Sequence, residues 1–272
     1  MLVTFLAYIT WDANPIIFDL GFLQLRWYGV LFASSFLIGH YLLQRIWRTE
    51  GRSQNDLDLL VIYVMLGSVI GGRLGHVFFY GWSYYSQHLD EIPKVWEGGL
   101  ASHGGAIGLI LALLLFIKQK KGEYTFLWLG DRICVAVPIV AASIRLGNLM
   151  NSEIYGKPTD VPWAFIYTRG EDLLPRHPTQ LYESFSYLLV LGLMLYSYRR
   201  FQRNIPEGLL AGILLVSLFT VRFVLEFFKE VQESWEKAYL LDMGQILSIP
   251  FIALGIYLLL RARRLHRAAQ VA

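Results

Sequence analysis

Seven apolar segments, each about long enough to cross or nearly cross a bilayer, constrain this chain more than any other feature. They run near 27–46, 57–80, 103–118, 126–148, 180–198, 208–228 and 243–260. Backbone groups in hydrocarbon must be satisfied within the protein, so such segments are read as helices. The 272 residues are 55% hydrophobic with a mean hydropathy of +0.44, too apolar for an ordinary soluble domain. The expected fold class is therefore an all-α polytopic membrane protein with seven transmembrane helices in one integral-membrane domain, 1–272. The third segment is short and glycine-led. Pro138 lies inside the fourth and is expected to kink it.

Positive charge sets the orientation. Arg45, Arg48 and Arg52 follow the first segment, and Lys118, Lys120 and Lys121 follow the third. Arg199, Arg200 and Arg203 follow the fifth. Arg261, Arg263, Arg264 and Arg267 form the tail. These short connections hold thirteen of the 24 Lys and Arg, so the positive-inside rule predicts an outer N-terminus and an inner C-terminus. The even connections are longer and richer in acid, with Asp90, Glu91 and Glu97 in one and Glu230, Glu233 and Glu236 in another. The largest, about 149–179, holds Pro158, Pro162, Pro175 and Pro178 and is expected to form a small ordered head outside the membrane. Segment 1–26 is broken by Asp12, Pro15 and Asp19 and reads as an interfacial arm. It lacks a cationic start before an apolar core, so no removable signal peptide is expected.

On this topology the polar residues gather toward one side. Ionisable groups are costly within a bilayer and need a partner or a task. Arg73, Arg132, Arg145 and Arg222 lie inside or at the ends of apolar segments. Tyr28, Arg73, His76, His103, Arg145, Asn148, Asn151, Glu153, His177, Gln180, Glu183, Arg222, Glu226 and Gln245 all fall toward the outer leaflet. The inner halves are nearly all aliphatic or Phe, apart from His40 and the Asp131–Arg132 pair, which reads as structural. A transporter needs polar access from both sides, and this pattern is one-sided. Four helix starts also point there, which together with the arginines favours an anion such as a phospholipid phosphate.

Each motif has a plainer reading. In His103-Gly104-Gly105-Ala106-Ile107-Gly108 the glycines read best as a tight helix contact, whereas His103 reads as a proton acceptor or phosphate contact. Arg145 through Gly156 is the most polar stretch to leave a segment. A snorkelling cap explains one arginine, but not Asn148, Asn151 and Glu153 with it. Arg222 and Glu226, four apart, suit an internal ion pair as well as a site. Arg73-Leu74-Gly75-His76 echoes Arg145-Leu146-Gly147-Asn148, with a structural reading ahead for the first. Cys134, the one cysteine, reads as a small core residue. The net charge of +3 and the lack of a basic domain give no sign of nucleic-acid binding.

Together these motifs resemble the bacterial prolipoprotein diacylglyceryl transferase family (phosphatidylglycerol–prolipoprotein diacylglyceryl transferases). The resemblance rests on Arg26-Trp27-Tyr28-Gly29, His103 through Gly108, Arg145 through Gly156, and His177-Pro178-Thr179-Gln180-Leu181-Tyr182-Glu183. Arg222 through Phe228 and Met243-Gly244-Gln245-Ile246-Leu247-Ser248 complete it. The chain departs from the family pattern at Ile144, Leu149, Met150, Leu218 and Lys229, the last standing where an arginine is usual.

The resemblance implies transfer of the sn-1,2-diacylglyceryl group of phosphatidylglycerol to the lipobox cysteine of a prolipoprotein signal peptide. It places the protein in the bacterial inner membrane with its site on the extracytoplasmic side. The nucleophile is the substrate's thiol, which agrees with an inert Cys134. Arg145 and Arg222 are the candidates for gripping the phosphate, and His103 is the candidate base. Glu153 and Glu226 would orient these groups. Tyr28, Asn148, Asn151, Gly156 and Gln180 would contact the lipid. Membrane lipids are the other expected partners, and no metal or organic cofactor is implied. The competing readings are a non-catalytic phospholipid binder or lipid transporter, and an intramembrane protease. The last is weak, for no serine at a glycine-flanked helix start pairs with a histidine.

Overall fold

The computed structural model describes residues 8–21, 24–95, 98–230 and 241–271. Glu97, Glu233 and Glu236 lie outside them. In chain order the elements are β1 (Ile9–Trp11), β2 (Ile16–Asp19), β3 (Gln24–Arg26), α1 (Trp27–Thr49), α2 (Gln54–Phe79) and α3 (Trp82–Tyr85). There follow α4 (Ser102–Gln119), α5 (Phe126–Met150), β4 (Phe165–Tyr167), β5 (Pro175–Arg176), α6 (Thr179–Phe201), α7 (Leu209–Glu226) and α8 (Met243–Val271). Each apolar segment of the sequence is a helix. Five of them (α2, α4, α5, α7 and α8) are long and apolar enough to cross a membrane. Helices α1 and α6 are as long but more polar, with His40 in α1 and Gln180 and Glu183 in α6. Helix α5 runs without a break through Pro138, as α8 does through Pro250.

The chain forms two compact units: residues 1–43 with 131–272, and residues 44–130. The smaller one is organised by α2 and α4. Gly67, Gly71 and Gly75 of α2 meet Gly104, Gly108 and Ala112 of α4, so closely that a Cβ on Gly108 would collide with the Gly67 carbonyl oxygen. Without a hydrophobic drive between helices in lipid, such close backbone approach supplies the packing energy. The glycines of the His103 motif therefore have a structural role.

Arg73, on the same helix, is 3% exposed. Its guanidinium donates to the carbonyls of Glu91 (2.6 Å), Ile92 (2.8 Å) and Gly98 (2.8 Å) and stacks on Tyr85. This arginine is a clamp on the loop that leaves α2. At the other end of the unit, Asp56 accepts hydrogen bonds from Lys120 and from the Tyr124 hydroxyl.

In the larger unit α7 packs on α6 and α8. Gly208, at φ +93°, precedes α7 and has no side chain to cap it. Asp131 of α5 caps it instead, accepting the Gly208 and Ala211 N–H groups at 2.8 Å each. The Asp131 carboxylate thus serves a helix start rather than a simple pairing with Arg132.

The head between α5 and α6 is a three-stranded sheet in the order β1-β4-β5, with β1 parallel to β4. One strand therefore comes from the N-terminal arm. Trp11 ties it down by donating its indole N–H to the Leu149 carbonyl at 2.9 Å. Leu149, Phe165 and Tyr167 form a small core with Trp11, Tyr155 and Leu181 around it. The rest of the described arm is the antiparallel β2–β3 hairpin leading into α1.

Candidate active site

The site is best built from α6. Gln180, Glu183 and Tyr187 recur at three- and four-residue steps and so share one helical face. Glu183 is fully buried, and a buried carboxylate needs compensating charge. It receives two cations. Arg145 of α5 brings Nε to 3.0 Å from Oε2, as an ion pair without an aligned hydrogen bond. Lys229, in the turn after α7, brings Nζ to 2.9 Å from Oε1. The Tyr187 hydroxyl donates to the same Oε1 at 3.3 Å.

Lys229 also bridges to Glu226, at 3.3 Å from Oε2. The sequence pairs Glu226 with Arg222, but the structure gives this carboxylate to Lys229. The reason lies in the chain path. Beyond α7 the backbone crosses residues 156–157, with Lys157 N–H donating to the Phe228 carbonyl at 2.8 Å and a bridge between Gly156 and Lys229. A Cβ on Gly156 would meet the Phe228 oxygen at 2.7 Å and the His177 Cβ at 2.6 Å. Gly156 is thus explained by this crossing, which turns the Lys229 side chain inward. Gly244, at the start of α8, leaves room for the Glu226 carboxyl, which a Cβ there would meet at 2.6 Å.

Arg222 keeps one unpaired donor among the described residues. Its Nε is buried and makes no hydrogen bond among the described residues. Both Arg222 and Arg145 lie within electrostatic reach of the Tyr187 phenol, and Arg145 within reach of Glu226. Buried polar atoms are normally satisfied, so an unpaired guanidinium N–H beside a charge cluster marks a place prepared for an acceptor.

A second polar chain runs from Arg145 toward the head. Arg145 Nη1 donates to Asn148 Oδ1 at 3.4 Å. Asn148 Nδ2 (2.8 Å) and Asn151 Nδ2 (3.1 Å) both donate to Glu153 Oε1. Gln180 Nε2 donates to the Glu153 backbone carbonyl at 2.8 Å, and Gln180 Oε1 accepts from the Tyr167 hydroxyl at 2.9 Å. Tyr28 feels both Arg145 and Glu153 and packs its ring on Gly147. Glu153 stands between Ser152 at φ +55° and Ile154 at φ +56°. For a β-branched residue that conformation is strained by about 1–3 kcal/mol, and such strain clusters at functional sites. Beside it opens a cavity of about 440 Å³, lined by Ser152, Glu153, Tyr155, Arg169, Glu171 and Glu230.

In the head, Arg176 ties the sheet together. It donates to both oxygens of Asp172, to Glu230 and to the Gly156 carbonyl, and it stacks on Tyr155. The Arg176 hydrogen bonds hold the Asp172 carboxyl below its ordinary pKa. His177 is hydrogen-bonded through Nδ1 to the Tyr182 hydroxyl at 3.2 Å, and burial lowers its pKa.

The structure therefore brings Tyr28, Arg145, Asn148, Asn151, Glu153, Gln180, Arg222 and Glu226 into one unit. His103 belongs to the other unit. It is exposed on the first turn of α4, with its ring against Phe79 (5.1 Å) and Tyr80 (5.7 Å). The sequence places Glu183 in the polar gathering without giving it a role, and it does not single out Tyr187, which was findable from its shared face with Gln180 and Glu183. Lys229 was visible only as a departure from the family pattern, yet it is 5% exposed at the hub.

Helices apolar enough for a bilayer, with the part-buried Arg145 against the buried Glu183 at one end, define a multi-pass membrane protein with a polar site. The family model for prolipoprotein diacylglyceryl transferase matches residues 15–261. Relatives named phosphatidylglycerol–prolipoprotein diacylglyceryl transferase include one from Chloroherpeton thalassium, 47% identical over 94% of this chain and 95% of its own length. Another, from Tolumonas auensis, is 46% identical over 92% and 96%. A third, from Porphyromonas gingivalis, is 43% identical over 96% of each. The chain belongs to the prolipoprotein diacylglyceryl transferase family.

Proposed function

We propose that this protein transfers the diacylglyceryl group of phosphatidylglycerol to the lipobox cysteine of prolipoproteins, the first step of bacterial lipoprotein maturation. The observation that carries the reading is the buried Nε of Arg222, unpaired among the described residues, beside the Arg145–Glu183–Lys229 network. The substrate thiol loses its proton to a base, and the thiolate attacks the glyceryl carbon. A carbon–sulfur bond forms as the carbon–oxygen bond to phosphate breaks. The phosphate leaves with the electron pair as glycerol 1-phosphate. Charge grows on the leaving phosphate, so donors fixed in advance lower the barrier. Arg222 and Arg145 hold the phosphate, and Glu183 and Glu226 orient the cations. Tyr28, Asn148, Asn151 and Gln180 position the lipid, and Glu153 fixes the two asparagines.

All seven long helices span the inner membrane, with the N-terminus outside and the C-terminus in the cytoplasm. The head and the site face the extracytoplasmic side, where signal peptides emerge. His103 is the proposed base. Transfer of radiolabelled glyceryl lipid from phosphatidylglycerol to a lipobox peptide by the purified protein tests the reaction. Binding without transfer would make the chain a lipid binder. For the base, His103→Gln should lose turnover, keep lipid affinity and recover partly at high pH. An unchanged pH–rate profile with full turnover removes His103 from that role.

A further inference from the structure

At the other end of α8 lies a second feature that suits a lipid. Tyr257, Leu260, Arg261, Arg264, Leu265 and Ala268 follow one another at alternating three- and one-residue steps and form one stripe along the helix. They line a groove of about 430 Å³. Arg261 is anchored, donating from Nη1 to the Glu207 carbonyl at 2.7 Å in the turn before α7. Arg264 is exposed. Among the described residues neither arginine pairs with a carboxylate. The contrast with the other unit is informative, since there Arg52 pairs with Glu123 and Lys120 with Asp56.

The apolar stripe does not stop at the arginines. Leu265, 44% exposed, and Ala268 continue it beyond them, whereas an arginine that only snorkels needs no such wall. Helix α8 has 29 residues, about 43 Å at 1.5 Å per residue against a hydrocarbon core of about 30 Å. Its last turns therefore reach headgroup level. From Gly244, which touches Glu226, to Arg261 is about 25 Å along the helix, so this groove is separate from the arginine–glutamate cluster.

We propose that this groove is a second, non-catalytic site for an anionic phospholipid. Arg264 and the free edge of Arg261 hold the headgroup phosphate, and Tyr257 and Leu260 run along an acyl chain. Net positive charge at the rim with apolar walls favours a lipid over a free phosphate, which has no use for the walls, and over an apolar partner helix, which would strand both charges.

The test uses the full-length protein in mild detergent, with native mass spectrometry counting lipids retained per chain. Arg264→Gln should weaken retention of one phosphatidylglycerol at least fivefold, and Ala268→Trp, which fills the groove, should do the same. Arg263→Gln removes the same charge from another face of the helix and should change retention less than twofold. Phosphatidylcholine should not be retained at this site, and glycerol phosphate should not compete. Equal losses from Arg263→Gln and Arg264→Gln would reduce the effect to general attraction and overturn the proposal. So would equal retention of phosphatidylcholine, full competition by glycerol phosphate, or a dimer mass abolished by Ala268→Trp. The readout is lipid retention, so its failure leaves the transfer reaction untouched.

Discussion

Arg73 and Arg145 open the same pattern, Arg-Leu-Gly followed by His or Asn, near the C-terminal ends of α2 and α5, and the fold uses them in opposite ways. Arg73 gives its donors to three neutral carbonyls and its face to Tyr85. Its guanidinium has little left to offer a ligand, and its work is to fix a loop. Arg145 meets the Glu183 carboxylate, the Asn148 amide and the Tyr187 hydroxyl, within a network that includes Lys229, Glu226 and Arg222, whose Nε is unpaired among the described residues. Its partners are side chains rather than backbone carbonyls. The following glycines differ too. Gly75 lies against the backbone of Gly104, whereas Gly147 receives the ring of Tyr28. An arginine in a membrane protein is thus classified by how fully its donors are used, not by its sequence neighbours.

The largest expected effect breaks that contrast directly. Arg145→Lys and Arg222→Ala should each lower transfer by about 100-fold or more, because a preorganised guanidinium fork is lost from the leaving phosphate. Arg73→Lys should instead lower thermal stability while activity per folded molecule stays within about threefold. If Arg145→Lys kept full activity, or Arg73→Lys lost activity with an unchanged melting temperature, the two roles would be misassigned.

Next in size is the carboxylate hub. Glu183→Gln leaves two buried cations short of charge, so stability should fall by about 3–5 kcal/mol, the scale for breaking a buried pair. Lys229→Arg keeps the positive charge and should keep stability and activity within about threefold. A large loss from Lys229→Arg would mean that the ammonium itself, and not just its charge, is required.

The helix contact that supports the Arg73 side should tolerate little. Gly108→Val puts side-chain atoms where the Gly67 carbonyl stands and should cost about 1–3 kcal/mol. Gly130→Ala, where a Cβ meets nothing within 4 Å, is the control and should be neutral in thermal melts.

The smallest effect concerns the head. Burial depresses the pKa of His177 in the fold, so the folded state binds fewer protons than the unfolded chain as pH drops below about 6.5. Its stability contribution is therefore present above that value and fades as pH falls through it. Hydrogen exchange of the β4–β5 pair should show a modest loss of protection between about pH 7 and pH 5.5. His177→Phe should flatten that dependence.

Much of this was legible in the sequence because its signals are local. Apolar runs of bilayer length report helices, since backbone polar groups in lipid leave little other choice. The gathering of Arg145, Asn148, Glu153, Gln180 and Arg222 was readable for the same reason, as helix order alone places them at one end. The glycines of the His103 motif were readable as a contact because small residues are what close helices need. Pairings between segments distant in sequence were not legible. Nothing local says that residues 9–11 join the head sheet, that Asp131 caps α7, or that Arg73 spends its donors on residues 91–98. Nor does a four-residue spacing decide whether Glu226 pairs with Arg222 or with Lys229. That choice follows from the crossing at Gly156, which directs one ammonium between two carboxylates. Periodicity and hydropathy belong to single segments, so the sequence determined the helices and the end at which charge collects. Which charge meets which depends on where separate segments come to rest against one another, and only the tertiary structure decided that.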